Sequence, residues 1–373
     1  MARPPRRPKP PPAPDLAAIR VGIDALDAAL LKLISERARL AQGVGVSKRA
    51  SGTPNAEYYR PEREAAVLRG VLAANRGPLT NAEVVRLFRE IMSACLAQQE
   101  PLKIAYLGPE GTFTQQAVLK HFGHSVRALP LLAIDEVFRE VESAVADFGV
   151  VPIENSSEGT VSHTADMFLL SPLKICGEVE LRVHQHLLGR MARLEQIERI
   201  CSHQQSLAQC RGWLTEHLPH VERIPVSSNA EAARRARDEQ GTAAIAGDAA
   251  AEVYGLELLV PEIEDHPDNT TRFLIVGRKL LAPSGSDRTT LLMSAPDTAG
   301  PGALLKLLEP FARHAISMTR LESRPSRRKK WDYVFFVDVE GHARDRPLAR
   351  ALAEVKKRAS LFKLLGSYPR AVL

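Results

Sequence analysis

The stretch GVVPIENSSEGTV, residues 149–161, lies in the central part of this chain and is typical of an α/β domain. It is a short apolar strand that ends in polar side chains, and α/β proteins place their ligands at that end of a strand. Around it, the apolar runs KIAYLG, ERICSH, TAAIAG and TRFLIVG alternate with helical stretches. That alternation predicts an α/β domain with a largely parallel sheet over residues 102–282. Two clusters of runs, on either side of LKICGEVELRVHQHLLG, indicate two lobes and a cleft.

The regions on either side of this segment follow other patterns. Residues 15–101 are predicted to be all-α, with one long amphipathic helix, a second that begins at Pro61 and a third capped by Asn81. Residues 287–373 follow the order strand, helix, strand, strand, helix, strand, which is that of a ferredoxin-like α+β domain. The chain is therefore predicted to be multidomain, preceded by a disordered Pro/Arg-rich tail at residues 1–14.

Composition limits the classes of function. A chain of 373 residues is too long for one domain with a single hydrophobic core. No run approaches the roughly 18 apolar residues of a membrane span. The formal net charge is +6, and residues 1–14 supply four of those charges, so nothing in the remainder demands nucleic acid. The N-terminal residues lack the apolar stretch of a secretory signal, and four cysteines without CxxC spacing favour free thiols. We therefore expect a cytoplasmic protein without membrane or nucleic-acid partners.

Cations occupy the stripe of the first helix that should be buried. Positions seven apart lie nearly above one another, and Arg37 falls in the column of Ile23, Leu30 and Val44. Lys48 lies only about 20° from Arg37 around the helix. Such cations either snorkel from the edge of an apolar face to water or neutralise a bound anion, for which a dicarboxylate is suitable.

The helical region resembles the chorismate mutase domain of proteobacterial bifunctional P-proteins, through IRVGIDALDAALLKLISERARLA, YYRPEREAAVLR and LFREIMSACLAQQ. The resemblance implies an intertwined helical dimer that rearranges chorismate to prephenate without metal or cofactor. Its substrate positions would be Arg20, Arg37, Lys48, Arg60, Arg63, Glu64, Cys95 and Gln99. Lys48 and Gln99 would donate to the ether oxygen, and the arginines would hold the carboxylates, with Arg20 serving the partner's site. Cys95 and Arg60 depart from the family pattern, which leaves open an enzyme with dehydratase activity alone.

The α/β region resembles prephenate dehydratase, through AYLGPEGTFTQQA (105–117), GVVPIENSSEGTV, SHQQSLAQC (202–210) and IEDHPDNTTRFLIVG (263–277). The resemblance implies two lobes like those of type II periplasmic binding proteins, and conversion of prephenate to phenylpyruvate with loss of water and carbon dioxide. Thr271 would donate a proton to the leaving hydroxyl. Glu154, Asn155 and Gln205 would complete the site, and Arg272 would bind a carboxylate. His184 and His186 share a strand face but lack a third ligand, so no metal is expected.

The C-terminal region resembles an ACT domain, a module that binds amino acids at dimer interfaces, through PGALLKLLEPF (301–311) and MTRLESRPS (318–326). The resemblance implies a phenylalanine site built from Gly302, Ala303, Leu304, Glu322, Ser323, Arg324 and Pro325. The first three begin a helix, where free N–H groups can hold a carboxylate. A purely structural dimerisation domain is the alternative.

Together these resemblances predict a homodimeric or larger enzyme of L-phenylalanine biosynthesis, with chorismate and prephenate as substrates, phenylalanine as feedback effector and no cofactor. A two-lobed fold also describes proteins that bind small molecules without catalysis, and the fold alone does not separate the two classes.

Overall fold

The computed structural model describes residues 15–50, 59–157, 159–296, 300–326 and 333–372, with side chains up to residue 47 in the first range. The predicted tail, residues 1–14, lies outside the described residues. Within the described ranges, no helix has both the length and the apolar character needed to cross a bilayer.

Three helices form the N-terminal region: α1 (Leu16–Ala50), α2 (Pro61–Ala74) and α3 (Asn81–Ala97). Pro61 occupies the first turn of α2, as predicted. The predicted cap of α3 is wrong by one residue, because Thr80 caps the helix and exchanges hydrogen bonds with Glu83 in a capping box. Both α1 and α2 pack on α3.

The α/β region contains eleven strands and seven α-helices within the described residues. The strands are β1 (Lys103–Leu107), β2 (Arg127–Leu131), β3 (Phe148–Asn155), β4 (Gly159–Thr160), β5 (Lys174–Arg182), β6 (His186–Gly189), β7 (Arg199–His203), β8 (Glu222–Val226), β9 (Thr242–Ala246), β10 (Glu257–Val260) and β11 (Thr270–Gly277). The helices are α4 (Phe113–Phe122), α5 (Ile134–Glu142), α6 (Ser162–Leu170), α7 (Gln204–Gln209), α8 (Arg211–His217), α9 (Asn229–Asp238) and α10 (Asp248–Tyr254).

These elements form two lobes, as predicted, but each sheet is mixed rather than largely parallel. The first sheet has the order β2-β1-β3-β11-β5 with β4 beside β3, and the second has the order β10-β6-β9-β7-β8. β1 runs parallel to β2 and β3, whereas β11 runs antiparallel to β3 and β5. The chain leaves the first lobe after β5 and re-enters it in β11. A strand that arrives from the other lobe need not follow the direction that local β-α-β units impose, which the sequence pattern could not show.

The C-terminal region has the predicted βαββαβ order. Its elements are β12 (Asp287–Ser294), α11 (Ala303–Arg313), β13 (Met318–Pro325), β14 (Tyr333–Glu340), α12 (Arg346–Arg358) and β15 (Leu361–Pro369). The sheet order is β13-β14-β12-β15, and α11 and α12 cover one face. The other face shares a hydrophobic core with the first α/β lobe, in which Phe336 and Tyr368 join Ile153 and Ile175. The C-terminal sheet is thus packed directly on the back of the first lobe.

Candidate active sites

A cleft of about 710 Å³ lies between the two lobes. That volume is in the range of small-molecule sites. The ends of β3 and β11 line it, together with the starts of α4, α7 and α9. The structure brings Asn155, Gln205 and Thr271 together at this cleft, although they lie far apart in the sequence.

Asn155 and Thr271 form a hydrogen-bonded pair across the neighbouring strands β3 and β11. The two residues lie opposite each other in the ladder, and Asn155 Nδ2 donates to Thr271 Oγ1 at 2.9 Å. Because the Thr271 oxygen accepts this bond, the Thr271 proton can be directed at a ligand in the cleft. This is the arrangement that a proton donor requires.

The cleft offers neutral hydrogen-bond donors to a ligand. Among the described residues that line it, none is a lysine or arginine, and His203 is the only one with a basic side chain. Thr112 caps α4 and Ser228 caps α9, each by accepting from a backbone N–H one turn into its helix. The remaining N–H groups of these first turns favour a negatively charged ligand group.

Glu154 and Arg272 do not face the cleft, contrary to the sequence-based expectation. Successive residues of a strand point to opposite sides of the sheet. Since Asn155 and Thr271 face the cleft, their neighbours Glu154 and Arg272 face the C-terminal sheet. Glu154 Oε2 lies 3.3 Å from Nε of Arg320 on β13.

Arg272 instead belongs to a buried polar cluster between the two sheets. Its Nε donates to Glu178 at 2.9 Å, and its Nη1 donates to Asp338 on β14 at 2.7 Å. Its third group, Nη2, donates to the hydroxyl of Tyr368 at 3.0 Å. With its donors engaged in this way, Arg272 holds the C-terminal domain rather than a substrate carboxylate.

The apolar face of α1 is largely uncovered in a single chain. Its exposed large apolar residues are Leu16, Ile19, Val21, Ile23, Leu26, Leu30, Leu31, Leu33, Ile34, Leu40, Val44 and Val46. Leu26 is 65% exposed and Leu33 is 61% exposed. A helix with so much exposed apolar surface is typical of an interaction surface.

Part of the predicted mutase site lies between α1 and α3. Cys95 is buried, and a Cβ added to Gly45 would lie only 3.0 Å from Cγ of Gln99, so the two helices are in close contact there. Gln99 Oε1 is buried and has no hydrogen-bond partner among the described residues. Arg37 is half-buried on α1. The side chain of Lys48 lies outside the part that the structure describes.

Three more of the predicted mutase residues, Arg20, Arg60 and Arg63, are exposed. Arg60 forms a salt bridge with Glu62 at 2.7 Å. In a single chain, none of these three arginines is enclosed with Gln99.

Glu64, the last predicted mutase residue, lies on another side of the helices, where α2 and α3 meet the α/β region. It lines a small cavity with Tyr59, Arg89 and His121, and its Oε1 lies 3.7 Å from Nε of Arg89. Burial raises the pKa of Glu64 to about 7, although Arg89 and Tyr59 act in the opposite direction. The single chain therefore does not place Glu64 beside Cys95 and Gln99.

The predicted effector residues fall on two elements. Gly302 caps α11 with a φ of 76°, a left-handed conformation that favours glycine, and Ala303 and Leu304 follow it. On β13, Ser323 and Pro325 are exposed.

Their neighbours Glu322 and Arg324 point to the α/β region. Glu322 accepts a hydrogen bond of 2.7 Å from Thr160, which lines the cleft, and Arg324 donates to Asp166 at 3.0 Å. Half of this motif is thus engaged with the first lobe.

The cleft residues missed by the sequence analysis include Gln185, Gln209 and Asn269. Gln209 and Asn269 lie inside motifs that carried the resemblance, so the motifs could have suggested them. Gln185 lies in the connection between the lobes, where no sequence pattern marks it.

Comparisons with known proteins match each of the three regions of the chain to a family. Three family models match: Chorismate mutase type II over residues 19–100, Prephenate dehydratase over 104–280 and ACT domain over 289–357. The Bifunctional chorismate mutase/prephenate dehydratase of Stutzerimonas stutzeri is 56% identical over 365 residues, which cover 97% of this chain and 99% of that protein. The protein of the same description from Aquifex aeolicus is 44% identical and covers 96% and 99%.

A solved structure with a bound ligand is also similar to this chain. The prephenate dehydratase of Arthrobacter aurescens in complex with L-Phe matches with a TM-score of 0.67 at 36% identity, over 72% of this chain and 90% of that chain.

Proposed function

The chain belongs to the family of bifunctional chorismate mutase/prephenate dehydratases, and we propose which of its residues carry out each reaction and its regulation. The chain rearranges chorismate to prephenate and converts prephenate to phenylpyruvate, and L-phenylalanine regulates it through the ACT domain. We assign these tasks to residues 15–101, 102–282 and 287–373 respectively.

For the dehydratase step, the Asn155–Thr271 pair carries the proposal. Loss of carbon dioxide pushes an electron pair into the ring as the ring hydroxyl leaves, and that hydroxyl must gain a proton to leave as water. Thr271 donates this proton. A threonine hydroxyl is a weak acid, and the N–H bond that it accepts from Asn155 makes it a better donor by polarising the O–H group.

Neutral groups hold the two carboxylates of prephenate in this proposal. The starts of α4 and α9 and the side chain of Gln205 supply the donors, in place of Arg272. A carboxylate that is ion-paired with arginine would be strongly stabilised before the reaction. Weaker, neutral donors leave the carboxylate freer to depart as carbon dioxide, so they favour the transition state over the bound substrate.

For the mutase step, Arg37, Lys48 and Gln99 of one chain hold chorismate with Arg20 of a second chain. Two observations support a homodimer: the apolar face of α1 is exposed, and α1 contacts Gln99 at Gly45, which lies far along the helix from Arg20. Pairing of two such faces covers the apolar surface and completes the set of cations. Cys95 and Arg63 line the same site, and Arg60 lies at its rim.

For regulation, we propose that L-phenylalanine binds near Gly302–Leu304 and β13. Arg320 of β13 donates to Thr160 at 2.9 Å, and Thr160 lines the cleft. A shift of β13 on binding therefore changes the cleft through this contact. In Arg320→Met, phenylalanine should still bind, as measured by calorimetry, but should inhibit less; unchanged inhibition would contradict this route.

Sequential addition of the two substrates tests the function as a whole. The purified protein should consume chorismate and form prephenate, then phenylpyruvate, which is followed by its alkaline absorbance. Phenylalanine should slow phenylpyruvate formation. Conversion of prephenate without conversion of chorismate would show that the protein has dehydratase activity but no mutase activity. The four cysteines are buried and form no disulfide within the described residues, which supports the proposal that the protein works in a reducing cytoplasm.

A further inference from the structure

Gln185 is a buried amide beside the dehydratase cleft that the proposed mechanism does not use. It is 1% exposed, and its Oε1 has no hydrogen-bond partner among the described residues. A buried acceptor without a partner destabilises a fold, and an apolar side chain of the same size would avoid that cost. The presence of an amide at this position therefore calls for a role of its nitrogen.

A series of hydrogen bonds determines the orientation of the oxygen and nitrogen ends of the amide side chains at the cleft. The two ends of an amide have the same shape, so only their partners can distinguish them. The series begins at the backbone N–H of Ser157, which can only donate, and which donates to Asn155 Oδ1 at 3.0 Å. The Asn155 nitrogen must therefore face Thr271 and Asn269, and it donates to Asn269 Oδ1 at 2.8 Å.

The same reasoning continues to Gln185. With its oxygen used by Asn155, Asn269 donates through Nδ2 to Gln209 Oε1 at 3.2 Å. Gln185 Nε2 donates to that same oxygen, also at 3.2 Å. Two N–H donors thus occupy Gln209 Oε1, and rotation of this amide would bring its NH₂ group against both of them.

Gln209 lines the cleft and is only partly buried, so its orientation matters to a ligand. With its oxygen held by two donors, Gln209 is left with its NH₂ group as the end free to meet a ligand. A doubly anionic substrate needs donors, and this cleft has no lysine or arginine among the described lining residues. A carbonyl oxygen in that place would repel a carboxylate.

The backbone around Gln185 fixes its place. Its N–H donates to Glu264 Oε2 at 2.9 Å, and its C=O accepts from the N–H of Ile263 at 2.8 Å. These contacts tie together the two chain segments that cross between the lobes. We propose that Gln185 is a positioning residue of the dehydratase site, which locks Gln209 with its NH₂ group available to a carboxylate of the substrate. This inference rests on the proposed dehydratase function.

A double-mutant cycle tests it on the full chain. Gln185→Met should lower kcat/KM for prephenate about tenfold, mostly through KM, because Asn269 alone then holds the Gln209 oxygen and the amide rotates more readily. In a Gln209→Met background the same substitution should cause no further loss. Equal losses in both backgrounds, or no loss in either, would overturn the proposal. Turnover of chorismate by the same molecules should not change, and it reports correct folding.

A second variant separates positioning from packing. Gln185→Glu keeps the shape but accepts hydrogen bonds when ionised. It therefore attracts the NH₂ group of Gln209 against the remaining donor, Asn269, so the rotated amide is favoured and activity on prephenate falls. As the pH is lowered, the protonated carboxyl can donate to Gln209 as the amide did, and activity should recover relative to the unmodified protein. A flat ratio across pH would count against the proposal. Failure of the dehydratase function itself would appear in the unmodified protein, as prephenate left unconverted.

Discussion

The helical region and the dehydratase cleft differ in charge and in enclosure, although both are proposed to bind small dianions. The helical region has the cations, such as Arg37, but a single chain leaves them half-buried or exposed beside a bare apolar face. The cleft has the enclosure, between two complete lobes, but its described lining has no lysine or arginine. The difference fits the proposal that the helical region encloses its cations only when a second copy covers α1, whereas the two lobes position neutral donors within one chain.

The largest expected effect is on the cleft, where one hydroxyl carries the chemistry. Thr271→Val keeps the size of the side chain and removes the proton donor. Phenylpyruvate formation from prephenate should fall by about 10² to 10⁴-fold, the usual contribution of a general acid. Chorismate consumption, measured on the same sample, should stay unchanged. Retention of dehydratase activity would remove Thr271 from the mechanism.

A second prediction concerns the exposed face of α1. Leu26→Glu with Leu33→Glu places charges on that face and should produce a monomer in sedimentation experiments. Mutase activity should fall at least about tenfold with it, because the site loses the partner's Arg20, while dehydratase activity should persist. Lys32→Glu, about 100° to 120° around α1 from these leucines at a position that already carries a charge, is the matched control.

Mixed dimers sharpen the same point. Arg20→Ala and Arg37→Ala should each abolish mutase activity alone. Mixed and re-equilibrated in equal amounts, they should recover about a quarter of it, since half of the dimers are mixed and each mixed dimer has one intact site. No recovery would mean that both arginines serve the same chain's site.

A third prediction tests whether the cleft works without Arg272. Arg272→Met leaves the buried Glu178 and Asp338 with fewer partners, so the free energy of unfolding should fall by about 3 kcal/mol. The KM for prephenate should change by less than about twofold, because the side chain does not reach the substrate. Arg182→Met, at a surface arginine that is 56% exposed, should change neither quantity. A large rise in KM would restore Arg272 as a substrate ligand.

The smallest expected effect lies where the two regions meet, at Glu64. Its pKa is raised to about 7 in the folded chain, from a reference value of 4.5, so the folded state binds the proton more tightly than the unfolded chain. The free energy of unfolding should therefore decrease as the pH rises from about 4.5 through about 7, by about 1–3 kcal/mol. Glu64→Gln should remove this decrease, as measured by denaturant unfolding at several pH values, while Glu100→Gln, at an exposed residue that follows α3, should retain it.

The sequence alone determined the order of the domains and most element types. Pro61 placed the start of α2, the 3.6-residue pattern marked the apolar face of α1, and the strand and helix order of residues 287–373 predicted the C-terminal fold, because these depend on local periodicity and local caps. Alternation along β11 even shows that Thr271 and Arg272 cannot both face one cleft.

Tertiary contacts determine which of those two side chains faces the cleft. In the folded chain, Arg272 and Glu154 face the C-terminal sheet, and Glu64 lies at the contact with the α/β region. The side chains of Asn155, Asn269, Gln209 and Gln185 form one series of hydrogen-bonded amides. Periodicity gives the relative orientation of neighbouring side chains, but the partner of each side chain comes from a distant segment, from 24 residues away for Gln185 and Gln209 to 114 residues away for Asn155 and Asn269. A local pattern carries no record of such contacts.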